Sequence, residues 1–478
     1  MSPHRSRARD RHHPAIHLRP PANWINDPNG LVHHRGHYHV FFQYNPQAPT
    51  HERVHWGHYR SADLVRWQRQ PIALTPTPGR PDADGCFSGN AVSHRGKIIA
   101  FYSTHRADRW WQPVAAADSD PSGTVFTKRP ELLVSRPPQG VTTFRDPYVW
   151  REGEHWNMIV GAGFGDGRAA ALLYTSHDLA SWTYRGPLHS RSDAADGLPT
   201  GDAWECPQLA TYADGGLLLV TSAWYRHSGP GHTVGWAGAR DGTGHHFDAP
   251  RRLDHGPDFY APALLHAPDG RWLLWGWSRE ARDDAWTLEA GWAGLLTLPR
   301  EVSLTPDGRV QQAPARELAA LRSGPPSRTV RTVAPGESAV LAELDSVAEV
   351  YVELAFDGAP VCGLRLNTSP DNSEYLGFAV RYGEVQVDRS RSAHDPRAHG
   401  GAYSLPLPGA VPGGNCRLRI LIDRSVAEVF TDAGEALTLR FYPGHDAPWS
   451  LTAHGLGGDC VRLGTEAHAL RPPEGDER

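Results

Sequence analysis

Methionine is nearly absent from this chain of 478 residues, with 2 copies against 17 tryptophans, and cysteine is scarce at 5. The cysteines, Cys86, Cys206, Cys362, Cys416 and Cys460, are odd in number, widely spread and form no Cys-x-x-Cys pair. That pattern argues against a disulfide framework and fits reduced thiols in a cytoplasm. No apolar run approaches the roughly 18 residues of a transmembrane helix, so no membrane partner is expected. Neither sign of charge dominates, the net value being −5. This excludes the basic footprint of a nucleic-acid binder and a polybasic membrane surface.

The one basic stretch is Met1–Pro14, which holds arginines and histidines but no hydrophobic segment. A secretory signal is therefore not expected, and residues 1–14 read as a flexible lead-in.

Glycine (49) and proline (41) are plentiful, as in a turn-rich β protein. A unit of glycine followed by a hydrophobic run recurs five times, beginning at Gly36, Gly96, Gly153, Gly215 and Gly270. Copies spaced roughly 55–62 residues apart are the signature of a five-bladed β-propeller. A second repeat follows each strand as a turn closed by an aromatic residue: Ser61–Trp67, Ala117–Phe126, Ser176–Trp182 and Ala239–Phe247. Such turns suit hairpins within a blade. The fold expected is all-β: a propeller over residues 15–303, a linker over 304–328 rich in Pro, Arg, Ser and Ala, and a β-sandwich over 329–478. The last region alternates apolar and polar residues in short segments. It concentrates no His, Cys or acid and reads as a supporting domain.

Three acidic motifs precede copies of the repeated strand: Trp24-Ile25-Asn26-Asp27-Pro28-Asn29-Gly30, Arg145-Asp146-Pro147 and Trp204-Glu205-Cys206-Pro207. Asp27, Asp146 and Glu205 thus hold similar places in blades one, three and four. In a radial array such places converge on the axis, and carboxylates sharing one pocket point to glycosidic chemistry. Singly, each has a plainer reading. Asp27 sits in a turn-forming run, Asp146 beside Arg145 suggests a local ion pair, and Glu205 lies in an apolar setting where a lone carboxylate is costly.

Together these motifs resemble the signature of glycoside hydrolase family 32, the invertases, levanases and inulinases. The resemblance extends through Phe42–Pro46, His55–His58, Phe87–Gly89, Asp258–Ala261 and Gly291–Glu301, and reaches Asp423–Phe430 in the second domain. It implies a five-bladed propeller followed by a β-sandwich, and a retaining hydrolase of terminal β-fructofuranosides that needs no cofactor or metal. Asp27 would be the nucleophile and Glu205 the acid and base, while Asp146 would stabilise the transition state through fructose hydroxyls. The two roles ask for different surroundings: Asp27 among hydrogen-bond donors, Glu205 in a less polar wall near Trp204 or Cys206. Asn26, Gln43, Trp56, Ser88 and Arg145 would surround the fructosyl group, with Asp258 at its rim. The partner implied is a small carbohydrate such as sucrose or a short fructan; a homo-oligomer remains open. Sucrose-6-phosphate hydrolysis, with Arg60 or Lys97 as phosphate contacts, fructosyl transfer and non-catalytic sugar binding are the alternatives.

His51-Glu52-Arg53-Val54-His55 also matches the zinc-protease pattern His-Glu-x-x-His, which works only on a helix. Pro46 and Pro49 before it and Gly57 after it argue against a helix there.

Overall fold

The computed structural model describes residues 10–193, 197–241, 244–457, 459–472 and 474–476. Strands make up nearly all of its regular structure. Among the described residues the helices are the seven-residue Asp284–Ala290 and a 3-10 turn at Arg316–Leu321, and no helix is long and apolar enough to cross a membrane.

Residues Asn23–Pro314 form five antiparallel sheets whose strands pair mainly in chain order. The first strands of the five are Asn23–His34, Gly85–His94, Val141–Glu152, Ala203–Thr211 and Phe259–His266. Each packs against the next, and the fifth packs against the first, closing a ring. A second latch closes the ring, because Trp292–Ala293 runs parallel to Asn23–Trp24 on the first sheet.

The repeated glycines have a local cause. His34 pairs with His37 and His94 with Lys97, leaving two-residue turns. Both turn residues have positive φ, 46° and 81° at Arg35-Gly36 and 47° and 79° at Arg95-Gly96. This is the twist-matched hairpin turn in which glycine is favoured. The second repeat is an aspartate turn. Asp63 accepts from the backbone N–H groups of Val65 and Arg66, and Asp178 from those of Ala180 and Ser181. Local bonds of this kind hold the chain in a turn at no cost to the strands on either side. Tryptophans then fill the spaces between sheets: Trp56 with Phe41, Ile98 and Tyr102, and Trp204 with Ile159 and Trp236.

The stretch read as a linker is mostly sheet. Val310–Pro314 pairs with Arg300–Leu304 and completes the fifth sheet, while Arg322–Val333 pairs with Val461–Leu470 in the second half. Pro325 and Pro326 made this stretch look like a linker by composition. They fall in a register shift between Ser323 and Ser327 on a strand at the edge of its sheet, where a missing N–H is tolerated. The described part of the lead-in is not a solvated tail either. His12 and His13 are buried, and Asp10 accepts from Trp292 Nε1 at 2.8 Å; residues 1–9 lie outside the described residues.

Residues from Arg322 onward form two six-stranded antiparallel sheets around a shared core that includes Val350, Leu364, Phe378 and Leu418. This half does bring acids to bear, against the expectation from its composition. Asp423 and Glu428 are fully buried and clasp His17 between them at 2.9 and 3.0 Å, and Glu428 also meets Arg300 at 2.6 Å. With a carboxylate on each ring nitrogen, His17 has its pKa raised despite its burial. A second tie joins Arg440 to Glu280 at 3.1 Å. Removing any single member of these pairs would leave its partner charged in a dry interior.

Candidate active site

Each of the five inner strands breaks register with its neighbour near its start: after Ile25, Phe87, Arg145, Glu205 and Tyr260. A bulge adds backbone on one strand only, so the inner strand kinks and re-aims its side chains. Asp27, Ser88, Asp146, Cys206 and Ala261 occupy these bulges, and proline follows all of them except Ser88. Proline has no N–H to lose from the interrupted ladder. Asp146, Cys206 and Ala261 have φ of 66°, 49° and 48°, left-handed conformations uncommon outside glycine. Strain held at the same point in three sheets marks a functional centre. One expectation is corrected here. The counterpart of Asp27 and Asp146 in the fourth sheet is Cys206, and Glu205 stands one residue earlier, in the place of Arg145 and Tyr260.

The bulges bring the acids together. Asp27 accepts from Ser88 Oγ at 2.5 Å and from Asn26 Nδ2 at 3.0 Å. Gln43 links the two donors, accepting from Asn26 Nδ2 at 3.2 Å and donating to Ser88 Oγ. Asp146 accepts from the Cys206 backbone N–H at 2.9 Å, and its own N–H donates to Ser103 Oγ at 2.7 Å. The Cys206 thiol lies between the two aspartates, 3.6 Å from Asp27 and 3.7 Å from Asp146. Glu205 is held from both sides. Arg145 donates to Oε1 at 2.8 Å and the Tyr260 hydroxyl to Oε2 at 2.6 Å.

Charge follows from this geometry. Burial pushes the Asp27 carboxyl above its usual range, and the Glu205 carboxylate adds to the shift. The Ser88, Asn26 and Cys206 hydrogen bonds oppose it. Burial and then Glu205 push Asp146 up to about 7 against the pull of Arg145. The Cys206 thiol is driven well above its usual value by burial beside these acids, so it stays protonated and can donate.

Rings form a wall beside the acids. Starting from Tyr260, successive centroids lie 6.4 Å apart to Trp277, 5.7 Å to Trp24, 5.8 Å to His51, 5.6 Å to Phe87 and 4.2 Å to His105. Aromatic faces beside a few fixed polar groups are what a sugar site requires. Tyr260, Ser103 and this arc were missed from sequence. Tyr260 lay within the Asp258–Ala261 motif, Trp24 and Phe87 within their own motifs and His51 in the His-Glu-x-x-His pattern, while Ser103 had no motif to mark it.

Asn26, Ser88 and Arg145 donate to the acids, and Gln43 links Asn26 to Ser88. Trp56 is fully buried behind them, its indole N–H donating to the Phe87 carbonyl at 3.1 Å. Asp258 turns away. Its carboxylate accepts from Arg389 and from the Arg440 N–H, so it ties the inner ring to the second half. Arg60 pairs with His39, and Lys97 adjoins the turn after His94, both toward the strand ends opposite the bulges. Neither can serve the expected phosphate contact. Residues 51–54 are not helical, so the His-Glu-x-x-His pattern lacks the shared face that zinc binding needs.

Comparison with known proteins places the chain in a family. The glycosyl hydrolases family 32 N-terminal domain matches residues 17–314, ending where the fifth sheet ends, and the family 32 C-terminal domain matches residues 317–455. Among curated relatives, a sucrose-6-phosphate hydrolase of Escherichia coli is 34% identical, covering 90% of this chain and 89% of its own. A raffinose invertase of Escherichia coli is 31% identical, covering 94% and 93%. The crystal structure of fructan 1-exohydrolase IIa from Cichorium intybus, solved in complex with 1-kestose, superposes with a TM-score of 0.85 at 25% identity, covering 97% and 98%. The chain belongs to glycoside hydrolase family 32 and is a hydrolase of the β-fructofuranosidase class.

Proposed function

We propose that this enzyme removes terminal fructose from sucrose and short fructans with retention, through a fructosyl group held on Asp27. The observation that carries the reading is the contrast between two carboxylates in one buried site. Asp27 is surrounded by the small donors Asn26, Ser88 and Cys206, which steady an ionised nucleophile. Glu205 is oriented by Arg145 and Tyr260, as a group that must first give a proton to the leaving oxygen and then take one from water. Asp146, fixed by the Cys206 N–H and needing no proton transfer of its own, binds fructose hydroxyls. The ring of five sheets is read as a five-bladed propeller with the site on its axis, and the paired six-stranded sheets as a β-sandwich. All five cysteines are free thiols, which supports a reducing, cytoplasmic setting.

The similarity to sucrose-6-phosphate hydrolases favours a second reading in which the glucosyl unit carries phosphate. Release of fructose from sucrose, sucrose 6-phosphate, 1-kestose and levan at matched concentrations separates the two. The Glu205→Gln variant then tests the mechanism. Sucrose turnover should fall by several orders of magnitude, while azide should restore turnover of a fructoside with a good leaving group. Near-normal sucrose hydrolysis by that variant would refute the assignment.

A further inference from the structure

The ring wall ends at His105, and the chain leaves that residue as a loop, 106–112, beside the site. His105 pairs with Gly85 at the start of the second inner strand, three residues before Ser88. At the other end of the loop the Gln112 N–H donates to the carbonyl of Phe144, the neighbour of Arg145. The loop therefore spans the mouth between the second and third sheets, directly outside the groups that hold Asp27 and Glu205.

Its residues are tied down by several contacts. Arg106 and Asp108 pair at 2.6 Å, and the Ala107 N–H donates to Asp84 at 2.9 Å. Arg109 reaches the Pro81 carbonyl at 2.5 Å and Thr104 Oγ1 at 3.1 Å. Trp111 donates to the Ser135 carbonyl at 3.0 Å and carries Arg136 on its face. Trp110 is treated differently. It meets Trp111 edge-on, with centroids 5.5 Å apart, and remains 50% exposed. A braced loop that leaves the last ring of the wall, His105, thus presents a large apolar ring to solvent.

We propose that Trp110 is a platform for the leaving group, stacking on the sugar ring that lies beyond the first one after the scissile bond. This rests on the fructosidase reading above. A flat indole offers a face to the C–H groups of a sugar ring and needs no hydrogen bond in return. The first leaving ring would meet the inner wall at Trp24 and Phe87. Trp110 stands on the loop that follows His105, five residues along the chain, and its contact would serve substrates with a third ring. Binding energy so far from the reacting bond is expressed in selectivity between substrates.

The test compares kcat/KM for sucrose and 1-kestose in the wild type, Trp110→Ala and Trp110→Tyr. Trp110→Ala should lower the 1-kestose value by about fivefold to tenfold, the worth of one aromatic contact. Sucrose should change by less than about twofold on the same scale, and Trp110→Tyr should recover most of the loss. An equal fall on both substrates would overturn the proposal, because the loop would then be supporting the pocket itself. So would an unchanged ratio in an active enzyme. A wild type inert on every β-fructoside would overturn the fructosidase reading and this inference together.

Discussion

Asp146 shows the energetic cost of concentrating three acids around one arginine. Burial, Glu205 and Asp27 all disfavour its charge, and its pKa stands at about 7 against the ordinary 3.8. The unfolded chain therefore releases this proton at lower pH than the folded one. Between about pH 4 and pH 7 the unfolded state binds fewer protons, and stability falls as pH rises through that window. Asp146→Asn has no such proton. Its stability relative to the wild type should rise across the window by a few kcal/mol, at most on the order of 1.4 kcal/mol for each step of one in pH. Urea unfolding at pH 4.5, 6 and 7.5 checks this, and a difference independent of pH would contradict it. The same variant should lose most of its activity, so the acid stays at a cost to stability. At this scale the sequence was informative wherever a residue type stands out in its motif, as Asp27, Asp146 and Glu205 do. It failed for Tyr260, whose hydroxyl reaches Glu205 from another sheet, and for Asp258, whose buried partners Arg389 and Arg440 come from the second half of the chain.

At the level of the strand, the bulge does the positioning, and it depends on close packing of neighbouring sheets. Gly161 pairs with Arg145 beside the Asp146 bulge, and a Cβ there would lie 2.2 Å from the Trp204 carbonyl and 3.1 Å from that of Arg145. Both contacts are backbone, so neither can swing aside. Gly161→Ala should push the third and fourth sheets apart where the Cys206 N–H meets Asp146. The expected cost is about 1–3 kcal/mol of stability. A drop in kcat should exceed any change in KM, because the acids are misplaced while the outer wall stays intact. Thermal unfolding together with sucrose kinetics decides it, and unchanged kcat in a folded variant would count against it. The repeat of strand and turn could be read from the sequence because hairpin turns demand glycine and the outer turns demand aspartate. The bulges could not, since a register shift has no composition of its own; Asp-Pro, Cys-Pro and Ala-Pro were its only traces.

The ring and the paired sheets are one assembly at the scale of the whole molecule, and this was the least legible level. The residues that join them are far apart in sequence: His17 near the start, Asp254, Asp258, Glu280 and Arg300 in the fifth sheet and its loops, Asp423, Glu428, Thr438 and Arg440 in the second half. A short basic segment and a proline-rich stretch looked like a tail and a linker because composition does not report long-range partners. The buried ion pairs across the junction make the second half a brace for the ring whose inner strands carry the acids. The function proposed for this braced site requires a covalent bond from Asp27 to the fructosyl unit. Mass spectrometry of Glu205→Gln, quenched during reaction with an activated β-fructoside, looks for that bond itself. One fructosyl adduct is expected on the peptide containing Asp27, absent when Asp27→Asn is added; an adduct on another residue, or free fructose formed with inverted configuration and no adduct, would contradict the mechanism.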